Sequence, residues 1–134
     1  MLTVKASAKS SKVHGIGLFA DEKILRGVIT WKFHPKFDIL FDPFEVNKMP
    51  VDQQELIKNY AYLSKESGKY VYSIDDSRFT NHSIKNNIDS VSLPGEIEKV
   101  GMANKDIEPG EEILANYRLF DAHDEKSTDE YLDV

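Results

Sequence analysis

Six adjacent residues, Gly15-Ile16-Gly17-Leu18-Phe19-Ala20, have the G-x-G-x-x-A spacing that lets a backbone pass close to a cofactor. A dinucleotide fold is excluded by context. Only six residues separate Ala20 from Gly27, where the next strand-like run begins, and a crossover helix needs roughly ten or more. The two glycines therefore permit a tight turn and close backbone approach, and nothing more on their own. Adjacent carboxylates at Asp75-Asp76 and Glu111-Glu112 point to opposite faces if they lie on strands, so turn and cap roles fit them better than paired acid/base work. His14, His34, His82 and His123 are scattered, and the chain has no cysteine; no metal-ligand spacing arises, and no metal is expected. There is neither a nucleophile-elbow serine nor a phosphate-cradling P-loop.

Three segments read in order say more than any one of them. They are Gly15-Ile16-Gly17-Leu18-Phe19-Ala20, then Arg78-Phe79-Thr80-Asn81-His82-Ser83, then Pro109-Gly110-Glu111-Glu112-Ile113-Leu114-Ala115-Asn116-Tyr117. With these, the chain resembles the SET-domain family of S-adenosylmethionine-dependent protein lysine methyltransferases over roughly residues 1–120. The resemblance implies a mainly β fold of small curved sheets with one helical insert and a knot-like C-terminal crossing. It also implies S-adenosylmethionine as cofactor and a lysine side chain of a protein or peptide as substrate. Carried over residue by residue, it places the Gly15, Ile16 and Gly17 backbone along the cofactor, with Asn81 holding the amino-acid end and the His82 backbone in the same pocket. Tyr117 matches the active-site tyrosine, Tyr72 an aromatic wall of the lysine channel, and Arg78 a prop for the Asn-His-Ser loop.

This sequence departs from the family in ways that matter. Ile84 stands where a cysteine commonly follows Asn-His-Ser, and Asn86-Asn87 replaces Pro-Asn. The cysteine-rich zinc segments that flank many members and close the channel are absent. Phe120, Tyr131 or a second copy of the chain, as a homodimer, is expected to supply that wall; Phe120, the nearest aromatic in the chain, is counted with the cofactor-binding residues, its alternative being a place in the core. The alternative is a SET-fold module that binds cofactor or protein with little or no catalysis.

The elements that must position these residues read as many short strands. Leu2-Thr3-Val4-Lys5 alternates apolar and polar residues, and Lys9-Ser10-Ser11-Lys12 reads as a polar loop. Val28 to Phe33 is rich in β-branched and aromatic residues, which favours a strand. From Val51 to Leu63 the period changes; Leu56, Tyr60 and Leu63 fall at helical spacing behind Pro50, a residue suited to a helix start. Lys69 to Ile74 alternates again, and short strands are expected at 88–93, 98–103 and 112–115.

The chain has 134 residues, 40% of them apolar, enough for one domain with its own core. The division expected is a domain over 1–120 and an acidic tail over 121–134. Net charge is −6, split as +4 over residues 1–40 and −10 over 41–134. Such a surface repels phosphate, so no direct nucleic-acid binding is expected, and a basic partner suits it. With no signal-like apolar N-terminal run and no membrane-length apolar stretch, the expectation is a soluble cytoplasmic protein without membrane contact, export to a host being left open. Acidic groups are expected at the channel rim, since a carboxylate beside the reacting amine would favour its charged form.

Overall fold

The computed structural model describes residues 1–125 and 127–134. Its elements in order are β1 (Ala6–Ser10), β2 (Ile16–Ala20), β3 (Ile29–Trp31), β4 (Asp38–Phe41), α1 (Pro43–Val46), α2 (Val51–Tyr60), β5 (Tyr62–Leu63), β6 (Tyr70–Ser73), β7 (Asn81–His82), β8 (Ile88–Val91), β9 (Val100–Ala103) and β10 (Glu112–Ala115). The fold is mainly β with a helical insert, as expected. Among the described residues no helix is long and apolar enough to cross a membrane.

One sheet runs in the order β1-β2-β10-β8-β9-β3, with β7 added beside β10. A second, smaller sheet runs β4-β6-β5. The core of the larger sheet is apolar and closely filled: Leu18, Ala20, Ile24, Ala103, Ile107 and Ile113 form one buried cluster, with Leu2, Val4, Ala6 and Ile88 packed against it. Burial of such residues, at about 1.5–3 kcal/mol for each large aliphatic side chain, is what holds short strands together.

Two local expectations are corrected. The first strand does not span 2–5. Leu2 makes a single bridge to Trp31, and the strand proper covers Ala6–Ser10, paired antiparallel with β2 from Ala6↔Ala20 to Ser10↔Ile16. Polar residues at its end are tolerated because β1 is an edge strand with a solvated face. The hairpin then turns where Ser11 N–H donates to the Gly15 carbonyl at 2.9 Å, and Gly15 takes φ +46°, a conformation that costs glycine little.

The helix is the second correction. It starts after Pro50 as expected but ends at Tyr60, with Ala61 already extended. Leu63 therefore belongs to β5, and Ile57, not Leu56 or Tyr60, is the helix's buried residue; the other two are 50% and 40% exposed.

The central strand β10 matters most for the site. It pairs antiparallel with β2 and parallel with β7, in the register Leu114↔Asn81 and Ala115↔His82. That register delivers Tyr117, two residues past the strand end, beside His82. The acidic segment that follows folds back onto the domain. Ala122 N–H donates to the Leu63 carbonyl at 2.8 Å, Ile84 N–H donates to the Val134 carbonyl at 3.1 Å, and Leu132 is fully buried.

Candidate functional site

Asn81 ties the glycine loop to the centre of the sheet. Its amide nitrogen donates to the His14 carbonyl at 2.9 Å, the Ile16 carbonyl at 3.2 Å and Glu112 Oε1 at 3.0 Å. Its own Oδ1 receives no hydrogen bond from the described residues, so an acceptor is left for a ligand's N–H. Ile16 is half exposed beside it. This corner offers the Asn81 Oδ1 acceptor, loop carbonyls at His14 and Ile16 and an apolar edge, an acceptor set that fits the ammonium of the amino-acid end of a cofactor such as S-adenosylmethionine.

Gly17 is required here for space. A Cβ at this position would lie 2.1 Å from Glu112 Oε1 and 3.0 Å from the Ser11 Cβ. The Glu112 carboxylate cannot move freely, because Ser11 Oγ donates to it at 2.8 Å and Asn81 at 3.0 Å. Gly17→Ala is expected to cost about 1–3 kcal/mol of stability by stripping those donors of their acceptor. Thermal melts of the variant check this; an unchanged midpoint would show that Glu112 has an equivalent rotamer.

His82 is buried and works through its ring as well as its backbone. Its Nδ1 accepts the Tyr117 N–H at 3.0 Å, which places the proton on Nε2, 3.0 Å from the Leu132 carbonyl. The imidazole thus clasps Tyr117, two residues past β10, on one side and the C-terminal segment on the other. Arg118 strengthens the same closure, donating to the Ser127 carbonyl at 2.6 Å and pairing with Asp133 at 3.2 Å. Arg78, expected to prop the Asn-His-Ser loop, donates to the Ile74 carbonyl at 3.0 Å and lies 4.7 Å over the Phe79 ring.

Tyr117 stands between this corner and a cavity of about 570 Å3. Its hydroxyl donates to the Thr80 carbonyl, one residue before Asn81, and its ring meets His82 edge-on at 5.2 Å and Phe120 at 5.8 Å. From Phe120 the aromatic wall continues to Tyr62 at 5.2 Å and on to Trp31 at 6.2 Å. All four rings line the cavity. Burial, reinforced by the charges of Tyr131, Asp124 and Asp121, pushes the Tyr117 phenol far above its ordinary value, so it stays protonated.

The structure brings Gly15, Ile16, Gly17, Asn81, His82, Tyr117 and Phe120 into one connected neighbourhood. Tyr72 is not part of it. Val71 and Ser73 face the cavity, and period-two alternation turns Tyr72 to the opposite face, into a separate groove with Ile39, Phe41, Leu56 and Ile57. Tyr62, which a helix over 51–63 would absorb, is among the aromatics that line the cavity in its place. The spacing Tyr60-Ala61-Tyr62 was the available signal, since a helix cannot place both tyrosines on one face.

Carboxylates are also deeper than expected. Glu98, Asp121 and Asp124 line the cavity and are 2%, 9% and 6% exposed. Burial is the main cause that lifts Asp121 to about 6, against an ordinary 3.8, with Asp124 adding to it and the His123 N–H working against it. The folded chain therefore holds this proton to higher pH than the unfolded chain does. Asp121's contribution to stability is fully present below pH 4 and is lost as pH rises through about 6. Asp121→Asn keeps an oxygen for the His123 N–H, bonded at 2.8 Å, and should be more stable than the parent above pH 6 but not near pH 4. Urea midpoints of both proteins across that range check this; a constant difference would remove Asp121 as the cause.

Comparison with known proteins agrees with this architecture. The sequence model of the SET domain matches residues 15–118. Among solved structures, a Plasmodium falciparum protein assigned as a histone methyltransferase superposes with a TM-score of 0.58 at 18% identity, covering 85% of this chain and 93% of its own. The ctPRC2 complex carrying a substituted Ezh2 superposes with a TM-score of 0.68 at 26% identity, over 92% of this chain and 16% of the other. A humanized Chaetomium thermophilum Polycomb Repressive Complex 2 bound to an inhibitor gives 0.60 at 25% identity, over 87% and 15%. This chain thus spans about a sixth of those two larger chains. No curated protein matches the sequence. With the family match covering the glycine loop, the Asn81-His82 strand and Tyr117 in one fold, the chain belongs to the SET-domain family.

Proposed function

We propose that this protein transfers a methyl group from S-adenosylmethionine to a lysine side chain of a basic protein. The observation that carries the reading is the position of Tyr117. It is locked by Thr80 and His82 at the boundary between the Asn81 corner and an aromatic cavity. When bound, S-adenosylmethionine supplies an electrophilic methyl group on a sulfonium. Asn81 Oδ1 and the carbonyls around Gly15 would hold its amino-acid end, while Phe120 walls the site where other members use a zinc segment.

The chain's residues then have to present an uncharged amine. A lysine of pKa near 10.4 is neutral in roughly one molecule per thousand at pH 7.5, so using that form costs about 4 kcal/mol. Tyr62, Phe120 and Tyr117 reduce the cost by desolvating the nitrogen. Because the Tyr117 proton is committed to the Thr80 carbonyl, its oxygen lone pairs are left to accept an amine N–H. That contact aims the nitrogen lone pair and requires no proton transfer by the phenol, whose pKa is too high for a base at neutral pH. Asp121 and Asp124 pull the other way on the amine, yet they draw a cationic substrate towards the cavity.

The experiment is transfer of labelled methyl to a mixture of basic proteins, run beside calorimetric titration with S-adenosylhomocysteine. Saturable binding with label on lysine supports the proposal. Binding without transfer would identify a cofactor-binding module instead, and neither would overturn both.

A further inference from the structure

Asn81 can face a ligand with either end of its amide, and its neighbours decide which. The oxygen and the NH2 group are nearly the same size, so hydrogen-bond partners tell them apart. Here the nitrogen meets three acceptors: the His14 carbonyl at 2.9 Å, the Ile16 carbonyl at 3.2 Å and Glu112 Oε1 at 3.0 Å. A flipped amide would set its oxygen against all three. The carboxylate is the strongest of them, because a charged acceptor holds a donor about twice as firmly as a neutral one.

Glu112 also holds the turn that supplies the His14 carbonyl. Ser11 Oγ donates to its Oε1 at 2.8 Å and lies 3.0 Å from Oε2, while the same hydroxyl accepts the Val13 N–H at 2.9 Å and the His14 N–H at 3.2 Å. The carboxylate rests against the backbone of Gly17, where a Cβ would come within 2.1 Å of Oε1. One side chain on β10 thus joins the glycine loop to Asn81 on β7.

The donors to this carboxylate are all neutral. They are a hydroxyl and an amide, and no lysine, arginine or histidine among the described residues forms an ion pair with Glu112. A glutamine of the same shape would satisfy both donors, so the hydrogen bonds alone do not call for a charge. A half-buried carboxylate with no cation beside it does call for one. An ammonium group bound at Asn81 Oδ1 would be that cation.

We infer that Glu112 is a positioning residue of the cofactor site: its carboxylate turns Asn81 Oδ1 towards the ligand, and its charge makes this corner select a ligand bearing an ammonium group over the same ligand without one. This rests on the methyltransferase reading above, and deepens it by naming the group that discriminates at the cofactor's amino-acid end.

The probes are S-adenosylhomocysteine and the same thioether lacking its α-amino group, each titrated calorimetrically into the full chain. The wild-type protein should bind the first at least thirtyfold more tightly. Glu112→Gln keeps the length of the side chain and an oxygen for Ser11 and Asn81 but removes the charge. It should cut that preference about tenfold, with the deaminated compound bound no worse than by the parent. Ser11→Ala leaves the carboxylate in place but loosens it, and should cut the preference about threefold. If Glu112→Gln is too unstable to titrate, Ser11→Ala still makes the comparison.

A carboxylate that merely supports the fold would weaken both compounds alike when removed, and that result would overturn the inference. So would an unchanged preference in the folded variants, or equal binding of the two compounds by the wild-type protein. A wild-type chain that binds neither compound would instead overturn the cofactor reading on which the inference rests.

Discussion

Tyr117→Phe should lower lysine methylation at least tenfold while leaving affinity for S-adenosylmethionine within a few-fold. The ring loses only its hydroxyl. Its edge contacts with His82 at 5.2 Å and Phe120 at 5.8 Å remain, as does the bond from its N–H to His82 Nδ1. What disappears is the one oxygen that is fixed by Thr80 and can accept an amine proton. A tenfold drop corresponds to about 1.4 kcal/mol of transition-state stabilisation, the order expected for one oriented hydrogen bond. Single-turnover methyl transfer and calorimetric binding, made on the same preparation, separate the two effects. Equal rates for variant and parent would remove Tyr117 from the reaction. A parallel loss of cofactor affinity would make it a wall of the cofactor pocket.

The second large effect is expected far from any reacting atom. Leu132 has no exposed surface, and its carbonyl receives the His82 Nε2 proton at 3.0 Å. Leu132→Ala leaves a cavity under the C-terminal segment and should cost about 3 kcal/mol, within the range of about 2–5 for a buried leucine. For a domain of this size the midpoint should fall on the order of 10 °C. Val134→Ala, at a side chain 71% exposed, is the control and should do almost nothing. Methyl transfer should fall along with stability, because the imidazole that holds Leu132 is the one that positions the Tyr117 backbone. A melt like the parent's would mean that residues 127–134 are only loosely attached.

These two residues differ in how far the sequence announces them. Tyr117 follows a Gly-Glu-Glu turn and an apolar strand, and Asn81 lies in a compact polar motif, so both are visible as local patterns. Leu132 sits in a stretch with six acids over 121–134, where composition argues for a solvated tail. What overrides composition is a set of long-range contacts: the His82 clasp, the Arg118 pairs, and the bond from Ile84 to Val134. None has a signature in neighbouring residues.

By itself the sequence determined the order of the three motifs, the β-rich pattern, the helix start after Pro50 and the strands around residues 70–73, 88–91, 100–103 and 112–115, each to within a few residues. These rest on interactions between near neighbours, namely side-chain alternation, turn glycines and the proline's missing N–H. Only the tertiary structure decided which face of each strand meets the cavity. Alternation says that Val71 and Ser73 share one side of β6 and Tyr72 the other, but it cannot say which side is in, and packing of α2 through Ile57 against the Tyr72 face settles it. The edge strand β1 was hidden for a related reason, since its pairing with β2 satisfies the backbone whatever polar side chains it carries. The buried carboxylates of Glu98, Asp121 and Asp124 were least legible of all. A charged residue reads as surface in sequence because desolvation is costly, and only the assembled cavity shows where that cost is borne.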